Sequence, residues 1–229
     1  DQAKGPVANP VEMGMSDVDE AMARVIAIPG YKAYFEEAFG PDAMTVDNAA
    51  KAVAAFERTL ITPNSPYDKY VKGDKQAMTE QQVRGMNTFE STGCVACHSG
   101  AAFNGPAMKS GEGFYAKFPT FADSDYVATY KLDQDKGRAE VTSKDADANM
   151  FRVPTLRNIT DTAPYFHNGA VNDLHEAVRI MAKTQLNREL ADGDVDDIVA
   201  FLGALTGEYP SITMPRLPAT SGMSLIADQ

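Results

Sequence analysis

The sequence predicts a mainly α-helical protein, and three observations lead to this prediction. Apolar side chains recur with a helical period in several segments, and most of these segments begin at a Ser, Thr or Asp. Gly and Pro residues separate the segments, as expected of turns between helices. The alternating pattern typical of β-strands is nearly absent. With 229 residues, 44% of them hydrophobic, the chain can bury a full core.

Acidic residues dominate the charged positions of the chain. Asp and Glu number 32 against 21 Lys and Arg, so the formal net charge is −11. This charge disfavours nucleic acid and anionic membrane surfaces as partners and favours a basic protein. We expect no membrane span, because the longest apolar runs are only a few residues. The start at Asp1 shows no signal-peptide pattern, which favours a processed or truncated form.

The N-terminal part of the chain begins with a predicted loop. Residues 1–15 show no period and are expected to be extended, so Glu12 is by default a solvated side chain. A helix is then predicted from Ser16, as its N-cap, with acidic residues in its first turn. A second helix is predicted over residues 31–39, where Gly40 follows it.

A third helix is predicted from Thr45, and its apolar face needs a partner to cover it. That face is formed by Ala49, Val53, Phe56 and Leu60. Two prolines and a glycine then interrupt the helical period between residues 61 and 74. We therefore place a domain boundary near residue 62.

The next predicted helix leads directly into the most informative motif of the chain. It begins with a capping box formed by Thr79 and Gln82 and runs to Gly93. The sequence Cys94-Val95-Ala96-Cys97-His98 follows, and it holds both cysteines of the protein. A C-x-x-C-H sequence is typical of covalent c-type haem attachment, in which two thiols bond the porphyrin and the histidine binds the iron. A helix that ends in this motif is expected of a class I cytochrome c fold.

Two other interpretations of the two cysteines are weaker. A thioredoxin-like redox pair would need a βαβ context, which the sequence does not predict. A zinc site would need two further ligands, and the chain offers only His167 and His175 besides His98. Haem c is therefore the expected cofactor, with His98 as one axial ligand.

The rest of the chain is predicted to be a long excursion, a packed loop and two helices. Residues 99–150 are expected to be irregular and to wrap the cofactor, and residues 151–171 to form a loop that contains His167. A helix from about Asp173 directs Met181 inward. The last helix is predicted from Asp192, as N-cap, to Gly207, before a Pro-rich tail.

The second axial ligand of the iron decides between electron transfer and open-site chemistry. Met181 is the best-placed candidate, because it faces the core and precedes the terminal helix, although an inward methionine can equally be a core filler. The other candidates are less well placed, because they lie in loops, in the tail, upstream of the motif or at exposed positions. They are His167, His175, Met86, Met150, Met214 and Met223.

Long stretches of the chain resemble the bacterial di-haem cytochrome c peroxidases. The resemblance is carried by GPVANPVEMGM, AAFERTLITPNSPYDKYVKGD, GCVACHSG, DKGR, LRNITDTAPYFHNGAV and AFLGALTGEYP. It implies that Cys94, Cys97 and His98 hold the electron-transfer haem and that its second ligand is Met181, fourteen residues after His167. A related enzyme that matures a tryptophan-derived cofactor has tyrosine there, so Met181 favours the peroxidase branch.

The resemblance also implies roles outside the haem motif. Glu12 is expected to act as acid and base in cleaving the peroxide O–O bond, with Gln2 lining the same pocket. Backbone carbonyls of Thr162 and Pro164 are expected to bind calcium, a cation that prefers oxygen ligands.

The chain departs from the family pattern in one respect. It has one C-x-x-C-H motif, three histidines and no tryptophan, where the family has a first haem motif and a bridging tryptophan further upstream. We therefore expect a C-terminal part of a longer enzyme, whose second haem c lies elsewhere. Residues 1–62 are expected to be part of the peroxidatic domain, residues 63–208 the electron-transfer haem domain, and residues 209–229 a tail that returns to the peroxidatic domain.

The expected function is that of a periplasmic cytochrome c peroxidase. It would reduce hydrogen peroxide to water with electrons from a small soluble cytochrome c or a cupredoxin, and the family implies a homodimer. The alternative is a monohaem electron-transfer domain with no catalysis of its own, which the single haem motif would equally suit.

Overall fold

The structure, a computed structural model, describes residues 1–109 and 111–219. It divides into two compact units. The terminal unit comprises Asp1–Ile61 and the chain from Tyr209 onward, and the central unit comprises Thr62–Glu208. Both are mainly helical, as predicted. In the described residues, no helix is both long enough and apolar enough to cross a bilayer.

The terminal unit contains four helices among the residues that the structure describes. After a 3₁₀ turn at Gln2–Lys4 these are α1, Gly5–Ala8; α2, Val18–Ile26; α3, Gly30–Phe39; and α4, Val46–Glu57. The prediction of an extended loop over residues 1–15 is thus wrong in part, because Pro6 lies in the first turn of α1, where its fixed φ favours a helix.

The N-cap of α2 is Asp17 rather than the predicted Ser16. The Asp17 carboxylate accepts a hydrogen bond from the Glu20 backbone N–H at 2.7 Å, so it satisfies one of the free N–H groups of the first turn. Ser16 instead donates from its hydroxyl to the Glu20 carboxylate. Thr45 caps α4 as predicted, with its hydroxyl accepting from the Asn48 N–H.

The predicted apolar face of α4 is largely open to solvent. Val53 and Phe56 are each 46% exposed, and Leu60 just beyond the helix is 50% exposed. Residues 209–219, the described part of the tail, form neither helix nor strand. Met223, one of the ligand candidates, lies outside the described residues.

The central unit contains six helices and a small sheet within its described residues. The helices are α5, Pro66–Val71; α6, Glu80–Thr92; α7, Asp125–Tyr130; α8, Ala139–Thr142; α9, Leu174–Leu186; and α10, Asp192–Gly203. Strand β1, Tyr115–Lys117, pairs antiparallel with β2, Met150–Arg152. Short 3₁₀ turns lie at Cys94–Ala96, Asp145–Asp147 and Ile159–Asp161.

Local chemistry explains where the prediction succeeded and failed in this unit. The Thr79–Gln82 capping box of α6 is confirmed. Helix α5 was not predicted, yet Pro66 lies in its first turn and Ser65 and Asp68 form a second capping box.

The predicted limits of α10 were wrong at both ends. Asp192 is its first residue rather than its N-cap, which is Ala191, and the helix ends at Gly203. Gly207 instead allows a close approach of backbones, because a Cβ there would lie 2.0 Å from the Thr62 carbonyl oxygen. The described part of the excursion between residues 99 and 150 is mostly irregular but contains β1, α7, α8 and one 3₁₀ turn, and β2 begins at its last residue.

Two apolar clusters form the core of the central unit. The first lies where α6 crosses α10 and includes Phe89, Phe103 and Phe201. The second surrounds Ile180 of α9. Leu174 and Ile159 pack against both clusters, so α9 connects the two halves of this core.

Replacing Gly85 by alanine is expected to destabilise the central unit by about 3 kcal/mol, at the upper end of the usual cost of overpacking. Gly85 is buried at the α6–α10 crossing, and a Cβ there would lie 1.7 Å from the Asp197 carbonyl oxygen. Gly203→Ala is the matched control, because nothing lies within 4 Å of that Cβ position. Thermal unfolding should show a large loss of stability for Gly85→Ala and none for Gly203→Ala. Equal stabilities of the two variants would contradict the close crossing of α6 and α10.

Candidate haem site

The C-x-x-C-H sequence lies directly after the C-terminus of α6. Gly93 ends the helix in the left-handed conformation with φ of 106°, which a glycine adopts without strain. The chain then turns through Cys94–Ala96, so that the His98 N–H donates to the Cys94 carbonyl at 2.9 Å. Cys94 and Cys97 are both free thiols, as attachment to haem requires.

His98 is buried and its ring is held by one defined hydrogen bond. The side chain is 8% exposed, and Nδ1 lies 3.0 Å from the carbonyl oxygen of Phe103. Because a carbonyl can only accept, Nδ1 carries the proton, which leaves the lone pair on Nε2 for a metal. Burial lowers the pKa of His98, against the opposing effect of this hydrogen bond, and so favours the neutral imidazole that binds iron.

The competing interpretations of the cysteines find no support in the geometry. Burial raises the pKa of the Cys94 thiol to about 11, whereas a reactive redox cysteine needs a lowered pKa. Within the part of the chain that the structure describes, no group of three His, Cys, Asp or Glu side chains could hold a metal ion. Two free thiols, a buried histidine with Nε2 available and adjoining apolar clusters fit a covalently bound haem.

Met181 lies on α9 and is half-buried. It packs against the second apolar cluster, while Cys94 packs against the first. The buried face of α9 is centred on Ile180 and Thr184, both fully buried, rather than on Met181. Ligation by Met181 therefore stays a prediction.

The two other histidines each make contacts of their own in the structure. The His167 ring stacks on Phe151, with ring centroids 4.3 Å apart, and burial lowers its pKa against the charge of Asp135. His175 lies at the surface, with Nδ1 3.3 Å from a carboxylate oxygen of Asp173. These contacts give each histidine a role in packing or at the surface that requires no iron.

The residues to which the resemblance assigns peroxide chemistry or calcium binding lie at exposed positions. Glu12 and Gln2 belong to the terminal unit, and the Glu12 carboxylate accepts a hydrogen bond from the Asn9 amide at 3.1 Å. Thr162 and Pro164 belong to the central unit and follow the 3₁₀ turn at Ile159–Asp161.

Sequence reasoning missed a polar cluster beside the haem motif. Arg157 donates to both carboxylate oxygens of Asp68, at 2.8 and 3.0 Å, and through Nε to the Ala101 carbonyl at 2.8 Å. The S-x-x-D pattern of Ser65 and Asp68 could have revealed α5, but no local pattern links Arg157 to either residue.

The ion pair of this cluster persists into acid. Burial alone would raise the pKa of Asp68, but hydrogen bonds from Arg157 and Ser65 outweigh it and hold the pKa below its ordinary 3.8. A carboxyl group whose pKa is lower in the folded state than in the unfolded state stabilises the fold at pH values above its ordinary pKa. That stabilisation is lost as the pH falls through the lower, folded value.

Comparisons with known proteins agree on one family. The family model described as di-haem cytochrome c peroxidase matches residues 1–76. A cytochrome c551 peroxidase of Nitrosomonas europaea is 41% identical over 222 residues, and one of Pseudomonas aeruginosa is 42% identical over 226 residues. Each alignment covers 96% of this chain and 62% of the relative, so the chain spans less than two thirds of either.

A solved structure is similar over most of the described fold. A MauG-like protein associated with microbial copper homeostasis superposes with a TM-score of 0.73 at 28% identity, covering 90% of this chain and 68% of that one. The diheme peroxidase BthA of Burkholderia thailandensis gives a TM-score of 0.63 at 23% identity, which supports the fold alone.

Proposed function

We propose that the chain is part of a periplasmic enzyme of the di-haem cytochrome c peroxidase family that reduces hydrogen peroxide to water, and its similarity to that family supports the proposal. The reaction consumes two electrons and two protons for each peroxide and releases two water molecules. A small soluble cytochrome c or a cupredoxin supplies the electrons. The observation that carries the proposal is buried His98, directly after two free thiols, with Nδ1 held by a carbonyl.

The central unit, residues 63–208 in the proposal, is a class I cytochrome c-like domain that receives the electrons. Cys94 and Cys97 would hold the haem covalently, and His98 and Met181 would bind its iron. The haem supplies one-electron redox chemistry, and methionine ligation raises its potential to suit high-potential donors. The apolar clusters exclude water, and the Phe103 carbonyl keeps the His98 ring in the required orientation.

The terminal unit, residues 1–62 and 209–229 in the proposal, belongs to the peroxidatic domain with the second haem c. The Glu12 carboxylate would take a proton from one peroxide oxygen and return it to the departing oxygen, which makes water the leaving group. Gln2 would orient the peroxide by a side-chain hydrogen bond. The exposed apolar side chains of α4 are the surface that this domain would use for its core.

The remaining elements of the proposal concern calcium and partners. The exposed turn at Thr162 and Pro164 would offer backbone carbonyls to calcium, and the enzyme would act as a homodimer. The net charge of −11 favours a donor protein with a basic surface, since opposite charges speed the encounter of two proteins.

Replacing Cys94 and Cys97 together by serine is expected to abolish covalent haem on this chain. Intact mass and the pyridine haemochrome spectrum of the protein from cells with a c-type maturation system provide the measurement. Thr92→Ser, which keeps both thiols, is the control. Wild-type protein without covalent haem would overturn the proposal.

One observation favours the second candidate function, a monohaem electron carrier. The chain contains one C-x-x-C-H sequence, at Cys94–His98. A His/Met haem spectrum without peroxide turnover, in the presence of reduced cytochrome c, would assign this function to the chain and remove the catalytic one.

A further inference from the structure

The loop after the haem motif carries the carbonyl that holds His98. Phe103 has φ of 53°, in the left-handed region that is unfavourable for a bulky residue, so neighbouring contacts must hold the loop in this conformation. The Phe103 ring supplies one such contact, because it packs edge-on against Tyr67 with centroids 5.2 Å apart. This ring contact fixes only the Phe103 side chain. The orientation of the Phe103 carbonyl depends on the backbone on either side of it.

Two side chains from one turn hold that backbone. The Thr155 hydroxyl donates to the Ala102 carbonyl at 2.6 Å, and Arg157 Nε donates to the Ala101 carbonyl at 2.8 Å. The Arg157 guanidinium also lies 5.9 Å from the centroid of the Phe103 ring. Arg157 thus contacts the loop at its backbone and near its anchoring ring.

Arg157 is itself fixed by Asp68 on α5. The two side chains are 21% and 19% exposed, and the guanidinium donates two parallel hydrogen bonds to the carboxylate. The Asp68 carboxylate also accepts from the Ser65 hydroxyl and backbone N–H, so it cannot turn without breaking the N-cap of α5. An arginine paired in this way has one orientation, because its guanidinium group and the carboxylate are both planar and are joined by two hydrogen bonds.

We propose that Arg157, held by Asp68, is a positioning residue for the haem ligand His98, acting through the Ala101–Phe103 backbone whose last carbonyl accepts from Nδ1. This inference rests on the proposed haem ligation by His98. Arg157 sets the strength of the Nδ1–H hydrogen bond and, through it, the electron donation of the imidazole to the iron.

A weaker Nδ1–H hydrogen bond has a defined consequence. It makes the imidazole a poorer donor, which favours the reduced iron, so the midpoint potential of the haem rises. It also exposes the Nδ1 proton to exchange with solvent. The two readouts report on the ligand itself and do not depend on peroxide turnover.

The test compares two identical substitutions. Arg157→Lys keeps the positive charge but loses the planar guanidinium that donates two hydrogen bonds. Arg84→Lys is the control, because Arg84 also donates two hydrogen bonds to one carboxylate, that of Asp197, at 2.9 and 3.1 Å between α6 and α10. In the haem-loaded protein, Arg157→Lys is expected to accelerate exchange of the His98 Nδ1 proton, measured by NMR, about tenfold, which corresponds to ~1.4 kcal/mol. The midpoint potential should shift upward. Arg84→Lys should change neither quantity.

Each outcome decides a different point. If folded Arg157→Lys has the same exchange rate and midpoint potential as the wild type, the positioning role is overturned while haem binding is left intact. If the wild type itself carries no haem, the proposed function is overturned instead. Equal shifts in both lysine variants would also reject a specific role. If Arg157→Lys fails to fold, Asp68→Asn carries the exchange measurement, because it weakens the fork and keeps the Arg157 bond to Ala101; unchanged exchange there rejects the proposal.

Discussion

Replacing Met181 by histidine is expected to keep the haem six-coordinate and low-spin while lowering its reduction potential. The thioether of methionine stabilises reduced iron, and an imidazole is a stronger donor that stabilises the oxidised form. The fall should be a few tenths of a volt, a sizeable part of the roughly 0.8 V that axial ligands span. Spectroelectrochemical titration of the haem-loaded chain measures it directly.

A pair of leucine substitutions separates ligation from packing. Met181→Leu has almost the same volume but no sulfur, so it should leave the iron five-coordinate and remove the absorption band that methionine ligation causes. Met150→Leu, at a second half-buried methionine of the central unit, is the matched control and should change neither coordination nor potential. An unchanged potential in Met181→His would show that another residue binds the iron.

Local chemistry made part of this site predictable from sequence. The C-x-x-C-H motif predicts covalent haem from five consecutive residues, and the Thr79–Gln82 capping box fixes the start of the helix that precedes it. The helical period of α9 likewise placed its start at Asp173, whose carboxylate accepts from the His175 N–H. These features depend on residues a few positions apart, so a single sequence contains the information.

The support of His98 depends on residues that are distant in sequence. Arg157 forms an ion pair with Asp68, which is 89 positions earlier in the chain. The Phe103 carbonyl reaches His98 Nδ1 in a loop where Phe103 adopts the left-handed conformation, and no local pattern predicts that conformation. The pairing of β1 with β2 similarly joins two three-residue segments too short to show alternation. Interactions of this kind follow from tertiary packing, and the sequence alone does not specify them.

Replacing Glu12 by glutamine in the complete, haem-loaded enzyme is expected to lower the rate of peroxide reduction by about two to four orders of magnitude, the usual contribution of a general acid and base. Glutamine has nearly the same shape and can still accept the hydrogen bond from Asn9, but it cannot take up and return the peroxide proton. Because the loss concerns proton transfer, the affinity for peroxide should change much less than the turnover rate. Steady-state kinetics with reduced cytochrome c separates the two.

Glu57→Gln is the control for this prediction, since it removes the same charge from another exposed glutamate of the terminal unit. It should leave turnover at the wild-type level. The potential of the haem at Cys94–His98 should be unchanged in both variants, because neither glutamate contributes to the central unit. A loss of less than tenfold in Glu12→Gln would remove Glu12 as the acid and base, while a loss that appears equally in Glu57→Gln would indicate a general effect of charge. Only a selective loss, with the haem potential intact, places the proton chemistry at Glu12 and the electron supply at His98.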